Sequence, residues 1–409
     1  MGTLGFFSNE GDERPRKLSK LSDDPEEEDA MQIDMISLLP SQDQGKDHPK
    51  HAPKKMGIVE RDPKWFVNQD VSTSVLVRLS RSEYGSIASL NKSFQSLIRT
   101  GELYRLRRKL GIVEHWVYFS CNILEWEVFD PIKGHWMHLP RMPCNQYDCF
   151  VFSDKESLAV GTELLVFGKA IEAPIVYGYS LLTNKWSHGI QMSVPRCLFA
   201  SASHGEKAIV AGGSNTQGKI SSVAELYNSD TKTWEALPNM NKARKMCSGV
   251  FMDGKFYAIG GMGEDGIRLT CGEEYDLDTK EWRVIPNMVP PRIQRQDGPE
   301  APPLVAVVNN VLYAADYAQR VMRKYVKERN NWVYVGGLPE RASSTNGWGL
   351  AFRACGDRIV VIGGERAMDG GRMVEINSWI PAQGAPQWNL LARRQIGGTF
   401  VYNCAVMGC

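Results

Sequence analysis

No apolar run in these 409 residues approaches the roughly 18–20 residues that a membrane-spanning helix requires. Cysteine pairs are missing as well: nine cysteines are scattered without a CxxC, and an odd, scattered set argues against a disulfide framework. Such thiols read as small core residues in a reducing compartment. Strong charge of one sign is also lacking. A net charge of +1 gives no bulk attraction to nucleic acid or to an anionic membrane, and neither is expected as a partner. No P-loop, G-x-S-x-G or H-E-x-x-H occurs, so no familiar phosphate cradle, nucleophile elbow or zinc-protease helix is signalled. The opening MGTLGFFSNE has too short an apolar stretch at residues 4–7 for a signal peptide. It also has Phe6 where myristoylation needs Ser or Thr. These absences together predict a soluble protein of the nucleus and/or cytoplasm.

What the chain has in abundance is repetition. Trp136, Trp186, Trp234, Trp282, Trp332 and Trp388 recur at 48 to 56 residues, and Phe129, Tyr179, Tyr227, Tyr275 and Tyr325 each stand seven positions before one of them. Between such a pair lies polar turn chemistry, NSDTKT after Tyr227, which reverses the chain and sets the two rings opposite each other on neighbouring strands. The rings are then expected to pack against the next unit. Glycine pairs (Gly212-Gly213, Gly260-Gly261) end β-rich apolar runs where a residue without Cβ permits positive φ or close backbone approach. A period near fifty points to kelch-type propeller blades. Inner-strand candidates fall at 157–160, 198–203, 247–252, 304–308, 350–354 and 400–407. The last has no blade after it and the unit around Trp136 has no inner strand before it, so the final strand is expected to complete the first blade. That closes six blades into a ring with few open edges.

Residues 1–64 combine an acidic run, scattered basic residues and few aromatics, and read as a disordered mixed-charge tail. Residues 31–39 (MQIDMISLL) are an apolar island, either plain tail or a short docking motif. From residue 65 to 111 the pattern turns helical, with Val67, Val71, Val75, Leu76 and Leu79 on one stripe and Ile87, Leu90, Phe94, Leu97 and Ile98 on another. Arg105, Arg107, Arg108 and Lys109 are expected to form a solvated helix face, set against the propeller rim. So small a helical unit gains stability by packing on a neighbour.

The stretch VNQDVSTSVLVRLSRSEYGSIASLNKSFQSLI resembles the F-box, the helical module that docks on the Skp-type adaptor of cullin–RING ubiquitin ligases. Val71, Val75, Leu76 and Leu79 match its first apolar helix, and Leu90, Lys92, Phe94 and Leu97 match its V-S-K-x-W-x-x-L segment, with Phe94 at the tryptophan. The usual Leu-Pro opening is Val67-Asn68, where Asn68 can cap a helix. An F-box followed by kelch blades is similar to the plant F-box/kelch-repeat family of Skp-interacting partners, over residues 65 to 409. The resemblance implies an all-β six-bladed propeller at 112–409 behind an F-box-like module at 65–111. It implies a substrate receptor without catalytic residues or cofactor, with those eight positions meeting the adaptor and the propeller binding a target protein. The alternatives are a kelch scaffold whose module no longer docks, and a propeller enzyme using a metal in its central opening.

Within the blades, Met192, Met240 and Met288 are each followed four residues on by Arg196, Arg244 and Arg292, and Arg341 holds the same place after Leu338-Pro339. The repeat brings these loops to one face. A ring of guanidinium groups there would suit carboxylates or phosphates of a target. The other reading is that each arginine bonds loop carbonyls within its own blade as part of the repeat plan. The Pro-rich connection at 288–303 is either a recognition loop or a plain connector. His135, His138, Cys144 and Cys149 resemble a zinc set, but positions 135 and 138 face opposite sides of a strand, which disfavours shared ligation.

Overall fold

A computed structural model of the chain describes residues 69–122, 124–143, 157–169, 174–290, 300–342, 344, 346–364, 373–396 and 398–409. The tail read at 1–64, Asn68, Cys144, Cys149 and Arg292 lie outside the described residues, as does the side chain of Val71.

Among the described residues four short helices come first: α1 (Gln69–Leu76), α2 (Tyr84–Leu90), α3 (Lys92–Arg99) and α4 (Glu102–Lys109), with a 3-10 turn at Arg81–Glu83 between α1 and α2. Asn91 starts α3 by accepting the Phe94 amide at 2.9 Å, so one orphan donor of the first turn is satisfied. Among the described residues, 24 strands then form six four-stranded antiparallel sheets. Blade 1 contains β1 (His115–Asn122), β2 (Glu125–Asp130) and β3 (His135–His138). Blade 2 is β4 (Ser157–Val160), β5 (Glu163–Lys169), β6 (Pro174–Ser180) and β7 (Lys185–His188). Blade 3 is β8 (Ala200–His204), β9 (Lys207–Ala211), β10 (Ala224–Asn228) and β11 (Thr233–Leu237). Blade 4 is β12 (Ser248–Met252), β13 (Lys255–Ile259), β14 (Gly272–Asp276) and β15 (Glu281–Ile285). Blade 5 is β16 (Leu304–Val308), β17 (Val311–Asp316), β18 (Val321–Val326) and β19 (Asn331–Gly337). Blade 6 is β20 (Ala351–Cys355), β21 (Arg358–Gly363), β22 (Met373–Trp379) and β23 (Asn389–Gln395). The innermost strand of blade 1 is β24 (Asn403–Gly408), which pairs with β1 from His115↔Gly408 to Ser120↔Asn403. The chain therefore forms a six-bladed propeller preceded by helices, and its last strand supplies the missing inner edge of its first sheet.

The core is a set of slabs between neighbouring blades rather than one central mass. Met192, Met240 and Met288, the residues that begin the arginine loops, are buried plugs in the slabs between blades 2 and 3, 3 and 4, and 4 and 5. The aromatic repeat explains itself in the same slabs. Tyr227 stands opposite Trp234 and Tyr275 opposite Trp282, each pair with ring centroids 4.9 Å apart. The pairs face the preceding blade, not the next one as expected, because a period alone does not say which face of a twisted sheet points which way. The indole N–H then reaches across. Trp186 donates to Pro140 O, Trp234 to Ile190 O, Trp282 to Pro238 O, Trp332 to Asn287 O and Trp388 to Gly337 O, at 2.6 to 3.3 Å. Five blades are thus stitched to the blade before them by the residue that sets the period.

The glycine pairs are required where the loops cross. Gly213 and Gly261 have φ of 98° and 97°, and a Cβ on either would lie 2.5 Å from the carbonyl oxygen of Cys197 or Lys245. No side chain fits there without moving the loop that leads into an inner strand.

Candidate protein-interaction surfaces

The helices sit on the propeller face formed by the hairpin turns β2–β3, β6–β7, β8–β9 and β10–β11. Lys133 donates to Ser82 Oγ at 2.7 Å, Arg105 pairs with Asp230 at 2.9 Å, and Arg108 donates through Nε to Glu206 at 2.9 Å. Beneath these contacts the apolar slab between blades 1 and 2 continues into the helices, joining Leu76, Val77, Tyr84, Ile98, Leu103 and Tyr104 to Trp116, Tyr118, Tyr179 and Met407. The basic stretch at the end of α4 is a solvated face only in part: Arg105 and Lys109 are exposed, Arg108 is half-buried and Arg107 is buried. Arg107 is enclosed and donates to the carbonyls of Val77 and Leu79, to Tyr84 Oη and to Glu114. A local charge run does not reveal that a neighbouring domain supplies acceptors for it.

Seven of the eight positions matched to the docking helices have described side chains, and these divide by exposure. Leu76 is buried, and Leu79, Phe94 and Leu97 are partly buried against the shared slab. Val75 and Leu90 remain 54% and 71% exposed, and Lys92 is exposed beside them in sequence at the start of α3. With the inner residues anchored on blades 1 and 2, the outward apolar positions present a face that the propeller does not use.

Antiparallel order puts the arginine loops at the opposite ends of the strands, on the far face of the disc. Arg196 and Arg244 are 3% and 0% exposed. Arg196 pairs with Glu225 and donates to the carbonyls of Val194 and Val210. Arg244 pairs with Glu273 at 2.6 Å and donates to Gly260 O and Cys271 O. Each carboxylate also accepts loop amides: Ser193 N on Glu225, Asn241 N and Lys242 N on Glu273. Each pair ties the connecting loop to the third strand of the blade it leads into. Burial lowers the proton affinity of Arg196, and the bonded Glu225 carboxylate opposes that shift. In blade 6 the same arrangement is looser: Glu375 is shared by Arg393 at 2.6 Å and Arg341 at 3.4 Å, and the Arg341 side chain is 47% exposed. Glu225 and Glu273 escaped the sequence reading as partners, although Arg and Glu recur together with a constant separation of 29 residues.

A central channel of about 660 Å³ runs along the inner strands, and none of the described residues lining it is a carboxylate. At the helical end it is lined by Arg108 and His115. Burial, and secondarily Arg81, push the His115 imidazole below its ordinary range. Near the closing seam, burial pushes the thiols of Cys121 and Cys355 up to about 12, so they stay protonated and are poor nucleophiles. His138 hydrogen-bonds Glu127 at 3.1 Å, and among the described residues no group of three ligating side chains is placed to hold a metal.

Comparison with known proteins identifies kelch repeats in the chain and relatives named for an F-box and kelch repeats. The Kelch motif family matches residues 195–241 and 243–289, which cover blades 3 and 4 with the loops that bring in Arg196 and Arg244. The chain is 60% identical to the F-box/kelch-repeat protein SKIP11 of Arabidopsis thaliana over 351 residues, 84% of this chain and 74% of the relative. Two further F-box/kelch-repeat proteins of the same plant are 58% identical over 84% of this chain and 82% of the relative, and 56% identical over 86% and 80%. A six-bladed ring with a helical module seated on one face, and identity of this extent, place the chain in the F-box/kelch-repeat protein family.

Proposed function

We propose that the chain is the substrate-recognition subunit of an SCF-type (cullin–RING) E3 ubiquitin ligase. The observation that carries this reading is the division of the helical module: one side is anchored in the slab between blades 1 and 2, while Val75 and Leu90 face outward. Those are positions that the F-box resemblance assigns to the Skp-type adaptor. The propeller then holds a target protein on the face opposite the helices, where a few loop residues carry most of the affinity. Arg196 and Arg244 serve that face by fixing its loops, and among the three described arginines it is Arg341 that offers a solvent-facing guanidinium for an acidic group of the target. Arg292 lies in a connection outside the described residues. Ligation chemistry belongs to the other subunits, no cofactor is required, and the protein works in the nucleus or cytoplasm.

The test is a comparison of co-purifying proteins, with degradation blocked, between the unmutated chain and a Val75→Asp, Leu90→Asp double variant. The proposal expects adaptor and cullin to be lost from the variant while target proteins stay bound. A scaffold with a non-docking module is favoured by one observation, the depth at which Arg107 fixes the helices. It predicts no adaptor on either protein, and that result defeats the receptor reading.

A further inference from the structure

We propose that the helical module is the latch of the propeller ring: Arg81 rivets the closing seam between β1 and β24, and a partner gripping α1 and α2 tightens that closure. The second clause rests on the adaptor reading above; the first does not.

The seam is the joint most in need of a latch. Each of the other five sheets consists of hairpins continuous in sequence, whereas β24 meets β1 across almost the whole propeller sequence. Joining ends so far apart carries a larger closure entropy than any hairpin, and strands so joined are natural sites of local opening. Arg81 lies in the turn between α1 and α2, and it is 2% exposed. Its Nη1 donates to Glu114 O at 3.1 Å and to Met407 O at 3.4 Å, and its Nη2 donates to Tyr118 Oη at 3.1 Å. The guanidinium carbon stands 4.1 Å from the centre of the Trp116 ring.

Every one of those partners belongs to the seam. Trp116 is registered with Met407 and Tyr118 with Ala405, and Glu114 exchanges two backbone hydrogen bonds with Cys409 at 2.9 and 3.0 Å. One fork therefore bonds both strands of the joint at once.

The turn that carries Arg81 is itself held. The Arg81 amide donates to the Glu114 carboxylate at 3.1 Å, and Arg107 fixes the carbonyls at the end of α1 together with Tyr84 on α2. Withdrawing Arg81 from the seam requires moving α1 and α2, the helices whose outward positions are Val75 and Leu90. A partner that binds those helices only in their seated arrangement disfavours the opened state by mass action.

Hydrogen exchange followed by mass spectrometry on the full chain tests both clauses. Without any partner, Arg81→Met should raise exchange of the β1 and β24 amides about tenfold or more, the worth of one hydrogen bond to a charged group. Blade 4 should be unchanged, and Arg81→Lys should fall between the two proteins. Equal seam exchange in all three overturns the latch. If Arg81→Met does not fold, the Arg81→Lys comparison decides.

Purified Skp-type adaptor added to the unmutated chain at a hundred times its Kd should slow seam exchange, with a ceiling of about a hundredfold. With Arg81→Met the adaptor should bind and leave the seam rate unchanged. Adaptor binding without any slowing in the unmutated chain overturns the coupling. Failure of the adaptor to bind defeats the receptor reading and the coupling with it, and leaves the latch to stand or fall on the partner-free comparison.

Discussion

At Arg244 the guanidinium is divided among Glu273, Gly260 O and Cys271 O in a pocket closed to solvent. Removing one charge strands the other without water. Arg244→Ala or Glu273→Ala should each cost about 3–5 kcal/mol, while replacing both by apolar residues of similar size should recover most of the loss. Urea unfolding of the singles and the double checks this, and additive losses would contradict it. His115 makes a prediction in pH. Its pKa in the fold is lowered by burial and by Arg81, so below the ordinary histidine value of about 6.5 the unfolded chain binds a proton that the folded chain refuses. Stability is then lost as pH falls from 7.5 to 5.5, and His115→Gln should flatten that part of the curve. An unchanged slope in the variant would assign the pH dependence elsewhere. The arginine positions were legible in the sequence because they repeat; their direction was not, because spacing does not say whether a side chain turns into its blade. Arg81 left no mark at all. It occurs once, in a helical turn, and its acceptors lie in strands remote in sequence.

Elements were legible wherever the period imposed them. The inner strand read at 198–203 is Ala200–His204, and the one at 247–252 is Ser248–Met252. The shift arises because Leu198 and Met246 hold φ of 60° and 55°, a conformation that bulky residues seldom adopt and that keeps the incoming loop out of the strand. The tryptophan spacing was read correctly as paired rings on adjacent strands, but the stitch to the preceding blade needs three dimensions. It leads to a measurable expectation. Trp282→Phe keeps an aromatic ring beside Tyr275 and removes the N–H that bonds Pro238 O at 2.7 Å, so it should cost about 0.5–1.5 kcal/mol. Trp282→Ala loses the packing too and should cost about 3–5 kcal/mol. Equal losses in the two variants would show that the indole N–H contributes nothing.

Across the whole molecule, six blades could be counted from a final strand that has no sheet of its own and a first sheet that lacks an inner strand. Removing residues 403–409, which contain β24, should open blade 1 and remove Met407 O, the acceptor that ties Arg81 to the closing strand. Loss of one cooperative unfolding transition, read by calorimetry, would be the sign. An unaltered transition would mean that the ring does not depend on its last strand. The seating of the helices on blades 1 to 3 was only loosely legible, since a small apolar module needs a partner surface but does not name it. Its consequence is that one chain presents two separate faces, an outward helical one and the far side of the disc. The most direct test is calorimetric titration of a purified Skp-type adaptor into the full chain. Saturable one-to-one binding, abolished by Val75→Asp with Leu90→Asp while the thermal midpoint stays the same, is the predicted result. Absence of binding to the unmutated chain, or equal binding by the double variant, would contradict it.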